Sequence, residues 1–118
     1  MYATAALGDA RWVTFKTGRD TNYGLLQHQI DRSSIRQEGP YRTFSIREWI
    51  PGKRQPVMYT INDKLFFVSR KYAVDCGHRR FADRFIDSDN VREKATSLGH
   101  MHWTALDKVP AVDHTVCR

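Results

Sequence analysis

The sequence lacks any hydrophobic run that could cross a membrane and any long block of like charges. Its apolar stretches all fall short of the roughly 18 residues that a transmembrane helix requires. The 19 Lys and Arg outnumber the 13 Asp and Glu, which gives a net charge of +6. The bases stand in short pairs, and the aromatic residues form no RNA-binding signature with them. The pattern therefore predicts no transmembrane segment and no specific nucleic-acid binding, while other acidic partners remain open.

Motifs for catalysis and for cofactor binding are also absent. The chain has no Gly-rich phosphate-binding loop, no paired-carboxylate motif and no serine in a nucleophile-elbow pattern. His100 and His102 would share one face of a strand, but a closed zinc site needs four ligands and no cysteine lies near them. We therefore predict no enzymatic activity, no cofactor and no bound metal, and interpret both histidines as polar residues before Trp103.

The length and composition are those of one globular domain. The chain has 118 residues, of which 41% are hydrophobic and 27% are charged. Residues 1–10 (MYATAALGDA) are small and weakly apolar, and ATAAL resembles the end of a signal-peptide cleavage region. We interpret residues 1–10 as a flexible tail left by a signal peptide, with a plain disordered tail as the alternative. The domain then spans residues 11–118.

Short β-rich segments separated by turn signals dominate most of the chain. The clearest strand is Tyr41 to Ile50 (YRTFSIREWI), which follows the chain break at Gly39-Pro40. Gly77-His78 predicts a tight hairpin between two further strands. The other predicted strands cover residues 11–16, 23–30, 57–61 (a short strand or a turn), 65–76 and 79–87. Turns or loops are predicted over residues 31–39 and 51–56. A second hairpin turn is predicted at residues 88–90, followed by a returning strand over residues 91–96.

The carboxyl end changes to a helical period. Four apolar residues there are spaced by three, three and four positions: Leu106, Val109, Val112 and Val116. This spacing places them on one face of a helix, and Pro110 suits its first turn, where the missing N–H costs nothing. About six strands followed by one terminal helix predict an α+β domain with a mainly antiparallel sheet.

The two cysteines leave several chemical roles to consider. Cys76 and Cys117 lie too far apart for a redox Cys-x-x-Cys pair and lack the neighbours for a closed zinc site. A nucleophilic Cys76 would need a nearby base, and His78 on a tight hairpin is expected to point to solvent. Cys76 is instead in phase with the apolar face of its strand, and Cys117 ends the predicted helix. We therefore predict a disulfide that clamps the helix to the sheet.

Seven basic residues on the predicted central strands, and on the loop before them, are candidates for binding a polyanion or an acidic partner: Lys53, Arg54, Arg70, Lys71, Arg79, Arg80 and Arg84. A hairpin would place residues 70–71 and 80–84 on neighbouring strands, so that their fields add. The alternative is that acids of the same segment neutralise the patch: Asp75, Asp83, Asp87 and Asp89.

Several short motifs follow one another in an informative order: Trp12; Asp31, Ser34, Ile35 and Gly39; Tyr41 to Ile50; Asp75, Cys76 and Arg79; residues 85–90 (FIDSDN); Trp103 with Pro110; and the terminal Val116-Cys117. In this order, over about residues 11–117, the chain resembles the surface-adhesin protein E-like family of Gram-negative bacteria. Asn90 stands where the family has a glycine, and residues 109–111 (VPA) replace a Pro-Gly-Ser-like turn. These departures leave the predicted fold unchanged.

The resemblance implies an exported domain in the periplasm or on the outer surface, with a sheet, a disulfide-clamped helix and, as one option, a homodimer. No catalytic residue belongs to the family motif, so structural roles are expected for its polar members. Asp31 and Ser34 are among these members, and Asp31 would cap the turn that follows the second strand. Asp75 and Arg79 would pair across their hairpin.

The best-known members of that family are adhesins that bind host matrix and serum proteins. The resemblance therefore predicts an adhesin-like binding protein that contacts host or envelope macromolecules, either protein or acidic polysaccharide. The alternative is a periplasmic inhibitor or accessory protein that acts on another protein. A net charge of +6 disfavours cationic targets such as lysozymes, because like charges repel on encounter.

Overall fold

A computed structural model describes residues 11–82 and 102–118. It consists mainly of one antiparallel sheet with a short C-terminal helix, which confirms the predicted α+β class. The predicted tail over residues 1–10, and the predicted elements over residues 83–96, lie outside the described residues. Within the described ranges, no helix is long and apolar enough to cross a bilayer.

The described strands are β1 (Trp12–Asp20), β2 (Gly24–Asp31), β3 (Arg36–Glu38), β4 (Tyr41–Ile50), β5 (Gln55–Pro56), β6 (Met58–Ile61), β7 (Lys64–Phe67), β8 (Ser69–Asp75), β9 (Arg80–Ala82) and β10 (Trp103–Ala105). The main sheet has the order β1-β2-β4-β8-β9-β10, and all its pairs are antiparallel. β3 pairs with the start of β4 and β5 with its end. β6 and β7 pair only with each other and form a separate hairpin.

The turn after β2 is fixed by two polar side chains. Asp31 accepts hydrogen bonds from the N–H and the hydroxyl of Ser33, and so caps a 3-10 turn over Arg32–Ser34. The Ser34 hydroxyl donates to the carbonyl of Asp31 and accepts from the N–H of Ser45 on β4. These bonds confirm the predicted cap at Asp31 and give Ser34 a structural role.

One face of the sheet carries the main hydrophobic core. Phe44 at its centre is fully buried between β2 and β8. The rings of Phe15, Tyr72 and Phe81 surround it, with centroids 5.9 to 6.4 Å from that of Phe44. Phe15 lies at a β-bulge in β1, and the bulge lets its ring turn towards this cluster. Successive residues of β4 point to opposite faces of the sheet, so one face of the sheet is apolar and the other is more polar.

The C-terminal segment covers the apolar face, as the helical spacing predicts. After a 3-10 turn over Leu106–Lys108, helix α1 (Pro110–Val112) begins with the proline at its first position. It continues as a wider, π-helical turn over Asp113–Cys117. The four stripe residues pack on the sheet core, three of them fully buried and the second half-buried: Leu106, Val109, Val112 and Val116.

Two contacts tie this segment to the sheet. Cys76 and Cys117 form the predicted disulfide, with Cα atoms 5.7 Å apart. Arg42 of β4 donates a hydrogen bond of 2.6 Å from its guanidinium to the carbonyl of Val116. The end of the chain is thus held covalently at the end of β8 and by a charged hydrogen bond at β4.

The prediction of one strand over residues 65–76 is wrong. The segment divides at Val68, whose N–H donates to the carbonyl of Val57, so that β7 folds back on β6 and only β8 joins the main sheet. The tight hairpin at Gly77-His78 is confirmed, and the N–H of Arg79 closes it on the carbonyl of Cys76. Short strands β3 and β5 also lie within segments predicted to be turn or loop.

Candidate binding surface

The β6–β7 hairpin, here called the apolar hairpin (residues 58–67), carries most of the exposed large apolar side chains of the described residues. These side chains are 41 to 64% exposed: Tyr59, Ile61, Leu65, Phe66 and Phe67. Tyr59 and Phe66 are directly opposite each other and stack with ring centroids 5.7 Å apart. Contiguous exposed apolar surface of this kind marks interaction sites on natural proteins.

Both faces of the apolar hairpin are hydrophobic. Residues that pair across two strands share a face, so Tyr59, Phe66 and Ile61 lie on one side. Leu65 and Phe67 lie on the other side. A strand pair that faced water on one side would alternate apolar and polar residues, whereas apolar residues on both faces are typical of strands covered on both sides.

The tip of the apolar hairpin has a defined conformation. Asn62 and Asp63 have φ values of 51° and 65°, which are the left-handed values that a type I′ turn needs at both central positions. Asn and Asp tolerate this region better than other non-glycine residues. The turn gives the two strands a fixed register, so the exposed aromatic rings are presented on an ordered element.

A second feature lies on the polar face of the main sheet, at the foot of the apolar hairpin. Arg47 of β4 lies between two indole rings, with its guanidinium carbon 3.9 Å from the ring centroid of Trp12 and 4.2 Å from that of Trp49. Its Nε donates to the side-chain oxygen of Gln29 at 2.7 Å, and Gln29 in turn donates to the hydroxyl of Thr14. The guanidinium is therefore held in one orientation.

Arg47 opens into a pocket of about 310 Å³, here called the Arg47 pocket. Its walls combine aromatic, aliphatic and hydroxyl groups: Trp12, Ser45, Pro56, Phe67, Val68 and Ser69. Arg11 and Asp31 also line it and pair with each other at 3.2 Å. Burial lowers the pKa of Arg47 from its ordinary value, and the nearby Arg11 charge adds to that effect.

Four of the seven predicted basic candidates contact carboxylates. Lys71 lies 2.8 Å from Glu38, and Arg80 lies 3.1 Å from Asp75. Arg70 is 3.9 Å from Glu48, and Arg79 contacts a carboxylate of the C-terminal helix. The exposed residues Lys53 and Arg54 lie in the turn between β4 and β5, and Arg84 lies outside the described residues. The structure therefore places four of the six described candidates in separate ion pairs with carboxylates.

Retention on a heparin column tests the seven-residue prediction. Any retention is expected to be electrostatic, to fall steeply with salt, and to weaken when four bases are changed to Gln. The test variant carries Gln at positions 70, 71, 80 and 84. A control variant with the same loss of charge carries Gln at positions 16, 19, 36 and 108. Elution of both variants at the same salt concentration would show that the candidates form no specific patch.

The predicted pairing of Asp75 with Arg79 is wrong. Arg79 has φ +54°, and its guanidinium instead makes two 2.6 Å bonds to the buried carboxylate of Asp113 in the C-terminal segment. Asp75 is bonded by the ring of His78 at 2.8 Å and by Arg80. Both carboxylates are engaged in contacts within the fold, and Arg79 links the hairpin to the C-terminal segment instead of spanning the hairpin.

Acid is expected to destabilise the protein through Asp113. Hydrogen bonds from Arg79, and then from Arg118, hold the pKa of Asp113 far below its usual range. A depressed folded-state pKa gives stability that is present above the unfolded value of about 3.9 and is lost as the pH falls. Urea unfolding between about pH 7 and pH 3 should therefore show a shallower acid limb for Asp113→Asn than for the wild type. The exposed Asp107→Asn is the control and should follow the wild type; a wild-type-like slope in Asp113→Asn would contradict the assignment.

The two histidines considered as metal ligands are His100 and His102. His102 is exposed, while His100 lies outside the described residues. Among residues 11–82 and 102–118, no cluster of three or more His, Cys, Asp or Glu side chains could hold a metal ion. The expectation that the protein binds no metal and catalyses no reaction stays a prediction.

Sequence reasoning missed both the apolar hairpin and the Arg47 pocket. Arg47 and Trp49 are two positions apart on the clearest predicted strand, and this spacing places them on one face. That signal was available, but the approach of Trp12 depends on the pairing of β1, β2 and β4, which the sequence does not reveal. Comparison with known proteins found no matching family, no matching curated protein and no matching solved structure.

Proposed function

We propose that this chain is an exported, adhesin-like binding protein of the Gram-negative envelope or cell surface, and that the apolar hairpin docks a partner protein. The observation that carries the proposal is the ordered hairpin with large apolar side chains exposed on both faces. A two-stranded hairpin by itself is only marginally stable in water. A partner that removed these apolar side chains from water would gain hydrophobic free energy, which favours association.

The disulfide supports the exported location. Cys76 and Cys117 join segments 41 positions apart, and such bridges persist in oxidising compartments such as the periplasm or the extracellular space. The order of motifs that resembles the adhesin family supports the same compartment. The location and the family remain part of the proposal.

The chemistry of the partner follows from apolarity and charge together. Aromatic and aliphatic side chains of the hairpin need an apolar groove, which a protein surface provides and a polysaccharide chain does not. The net charge of +6 favours approach to an acidic surface. We therefore propose a partner protein whose binding groove is apolar and bordered by acidic residues.

Capture from host serum and from an envelope extract tests the proposal. The wild type is compared with Leu65→Ser/Phe66→Ser, which removes one apolar side chain from each face of the hairpin. Leu25→Ser, at an exposed apolar position on β2, is the matched control. We expect at least one identified protein to bind the wild type and the control but not the hairpin variant. The same protein, once purified, should bind the wild type and the control with similar affinity and the hairpin variant much more weakly.

Two outcomes separate the proposal from its rivals. Identical sets of captured proteins for all three forms would contradict docking by the apolar hairpin. If the captured partner is an enzyme whose activity falls on binding, the chain is a periplasmic inhibitor, which is the alternative within the same docking mode. Because the changed side chains are exposed, circular dichroism should show an unchanged main sheet in both variants.

A further inference from the structure

The guanidinium of Arg47 has hydrogen-bond donors that no described residue accepts from. Within residues 11–82 and 102–118, its hydrogen bonding is limited to Nε, which donates to Gln29. The two terminal nitrogens have no protein acceptor among these residues, although each is a strong donor. A half-buried guanidinium with a free fork is costly unless an anion or water satisfies it.

The guanidinium is also preorganised for a ligand. Contacts with the faces of Trp12 and Trp49 and the bond from Nε to Gln29 together restrict the positions that the guanidinium can take. Gln29 is buried and is itself held by Thr14. Binding at the terminal nitrogens therefore requires little ordering of the protein, which favours affinity.

The charges around the pocket select a singly charged anion. Arg11 and Asp31 satisfy each other through two bonds of 3.2 and 3.3 Å. Arg47 forms no ion pair with a carboxylate among the described lining residues, although Asp31 is close enough to attract its charge, so the three groups together leave one net positive charge at the pocket. The Asp31 carboxylate would repel a dianion such as a phosphate monoester. A planar carboxylate carries one charge and matches the two parallel N–H groups of a guanidinium.

The remaining walls fit the apolar part of the same ligand. Trp12, Pro56 and Phe67 supply apolar surface, and the hydroxyl groups of Ser45 and Ser69 add polar partners. A volume of about 310 Å³ is at the lower end of the range for ligand pockets and suits one amino-acid residue rather than a large cofactor. Phe67 belongs both to the apolar hairpin and to the pocket lining, so a polypeptide docked on this side of the hairpin would lie next to the pocket.

We propose that the Arg47 pocket binds a carboxylate of the partner polypeptide together with the apolar side chain next to it. Arg47 receives the carboxylate on its two terminal nitrogens, and the apolar side chain packs between Trp12 and Phe67. This inference rests on the proposed function, because the partner on the hairpin presents the carboxylate. Two sources share the chemistry: the carboxyl terminus of a chain, and the side chain of Asp or Glu.

Nuclear magnetic resonance titration with small peptides tests the pocket without the partner. The probes are acetyl-Ala-Phe with a free carboxylate, its C-terminal amide, and acetyl-Glu-Phe amide, in which the carboxylate belongs to a side chain. We expect at least one acid to shift the Nε–H signal of Arg47 and the indole N–H signal of Trp12, and the neutral amide to shift neither. The acid that binds more tightly identifies the source of the carboxylate.

Arginine variants provide the controls. Arg47→Gln should weaken binding of the acid by about tenfold or more, the usual loss for a charged hydrogen-bonded pair. Arg47→Lys keeps the charge but lacks the fork and should also bind weakly. Arg19→Gln removes an equal charge from the exposed edge of β1 and should bind like the wild type.

The outcomes distinguish the pocket from the hairpin. Equal binding of the amide and both acids, no binding of any probe, or unchanged binding in Arg47→Gln would overturn the pocket proposal. Leu65→Ser/Phe66→Ser leaves every lining residue of the pocket in place, so it should retain the acid. Acid binding without any hairpin-dependent capture would refute the proposed function alone, and hairpin-dependent capture without acid binding would refute the pocket alone.

Discussion

Replacing both cysteines with serine is expected to lower the free energy of unfolding by about 4 kcal/mol. The bridge between Cys76 and Cys117 closes a loop with a sequence separation of 41, and loss of that restraint raises the entropy of the unfolded chain. Domains of this size are stable by only about 5 to 15 kcal/mol, so the loss is a large part of the total. Urea unfolding of Cys76→Ser/Cys117→Ser and of the oxidised wild type measures it.

The reduced wild type is the matched control for the cysteine variant. It has the native side chains but lacks the bridge, so its midpoint should coincide with that of the double variant. A difference of less than about 1 kcal/mol between the oxidised wild type and both other forms would contradict the account that the bridge clamps the helix. Free thiols in the unreduced, unfolded wild type would contradict the bridge itself.

Phe44→Ala is expected to destabilise the domain by about 3 to 5 kcal/mol. Phe44 is fully buried, and its ring meets the rings of Phe15, Tyr72 and Phe81, so truncation leaves a cavity that rigid aromatic neighbours fill poorly. The change in the free energy of unfolding is read from urea titrations at neutral pH.

Phe67→Ala makes the same chemical change on the apolar hairpin. Phe67 is 63% exposed, so we expect its truncation to alter stability by no more than about 0.5 kcal/mol. A comparable loss in both variants would show that the hairpin belongs to the folded core and is not a free surface. An effect of Phe44→Ala below about 1 kcal/mol would contradict the position of Phe44 in the core.

Local patterns predicted the clamp and the C-terminal helix well. The stripe from Leu106 to Val116 includes spacings of three, which a helix but not a strand places on one face, and Cys117 directly follows its last residue. Cys76 stands in phase with the buried positions of β8, so both ends of the disulfide could be predicted from period alone. Asp31 was predictable because an aspartate before two serines caps a turn through bonds within three residues.

Long-range partners were not predictable in the same way. Arg79 was predicted to pair with Asp75, which is close in sequence, but its guanidinium bonds to Asp113, which lies near it because the C-terminal segment packs on the sheet. Val68 interrupts a segment with the alternation of one strand, because its backbone bonds to Val57 and not to the main sheet. Alternation reports which residues could share a face, but not which strand lies next to them.

The candidate binding surface depends on both kinds of information. The apolar composition of residues 58–67 can be read from the sequence, yet it is equally typical of core strands, and only the tertiary structure leaves Leu65 and Phe67 exposed. The Arg47 pocket likewise needs Trp12 from β1 beside Arg47 from β4, two strands apart in the sheet. Exposure and pairing, rather than residue type, give these side chains their proposed roles.

Photo-cross-linking from the hairpin tests the central claim most directly. A photoreactive benzoylphenylalanine is placed at position 65 of the apolar hairpin or, as the control, at the exposed position 25 of β2. Each form is irradiated in a Gram-negative bacterium that exports it and, separately, in host serum. The account predicts a discrete protein adduct from position 65 in one of these settings and no such adduct from position 25. No adduct from position 65 in either setting, or the same adducts from both positions, would contradict docking of a partner protein on the apolar hairpin.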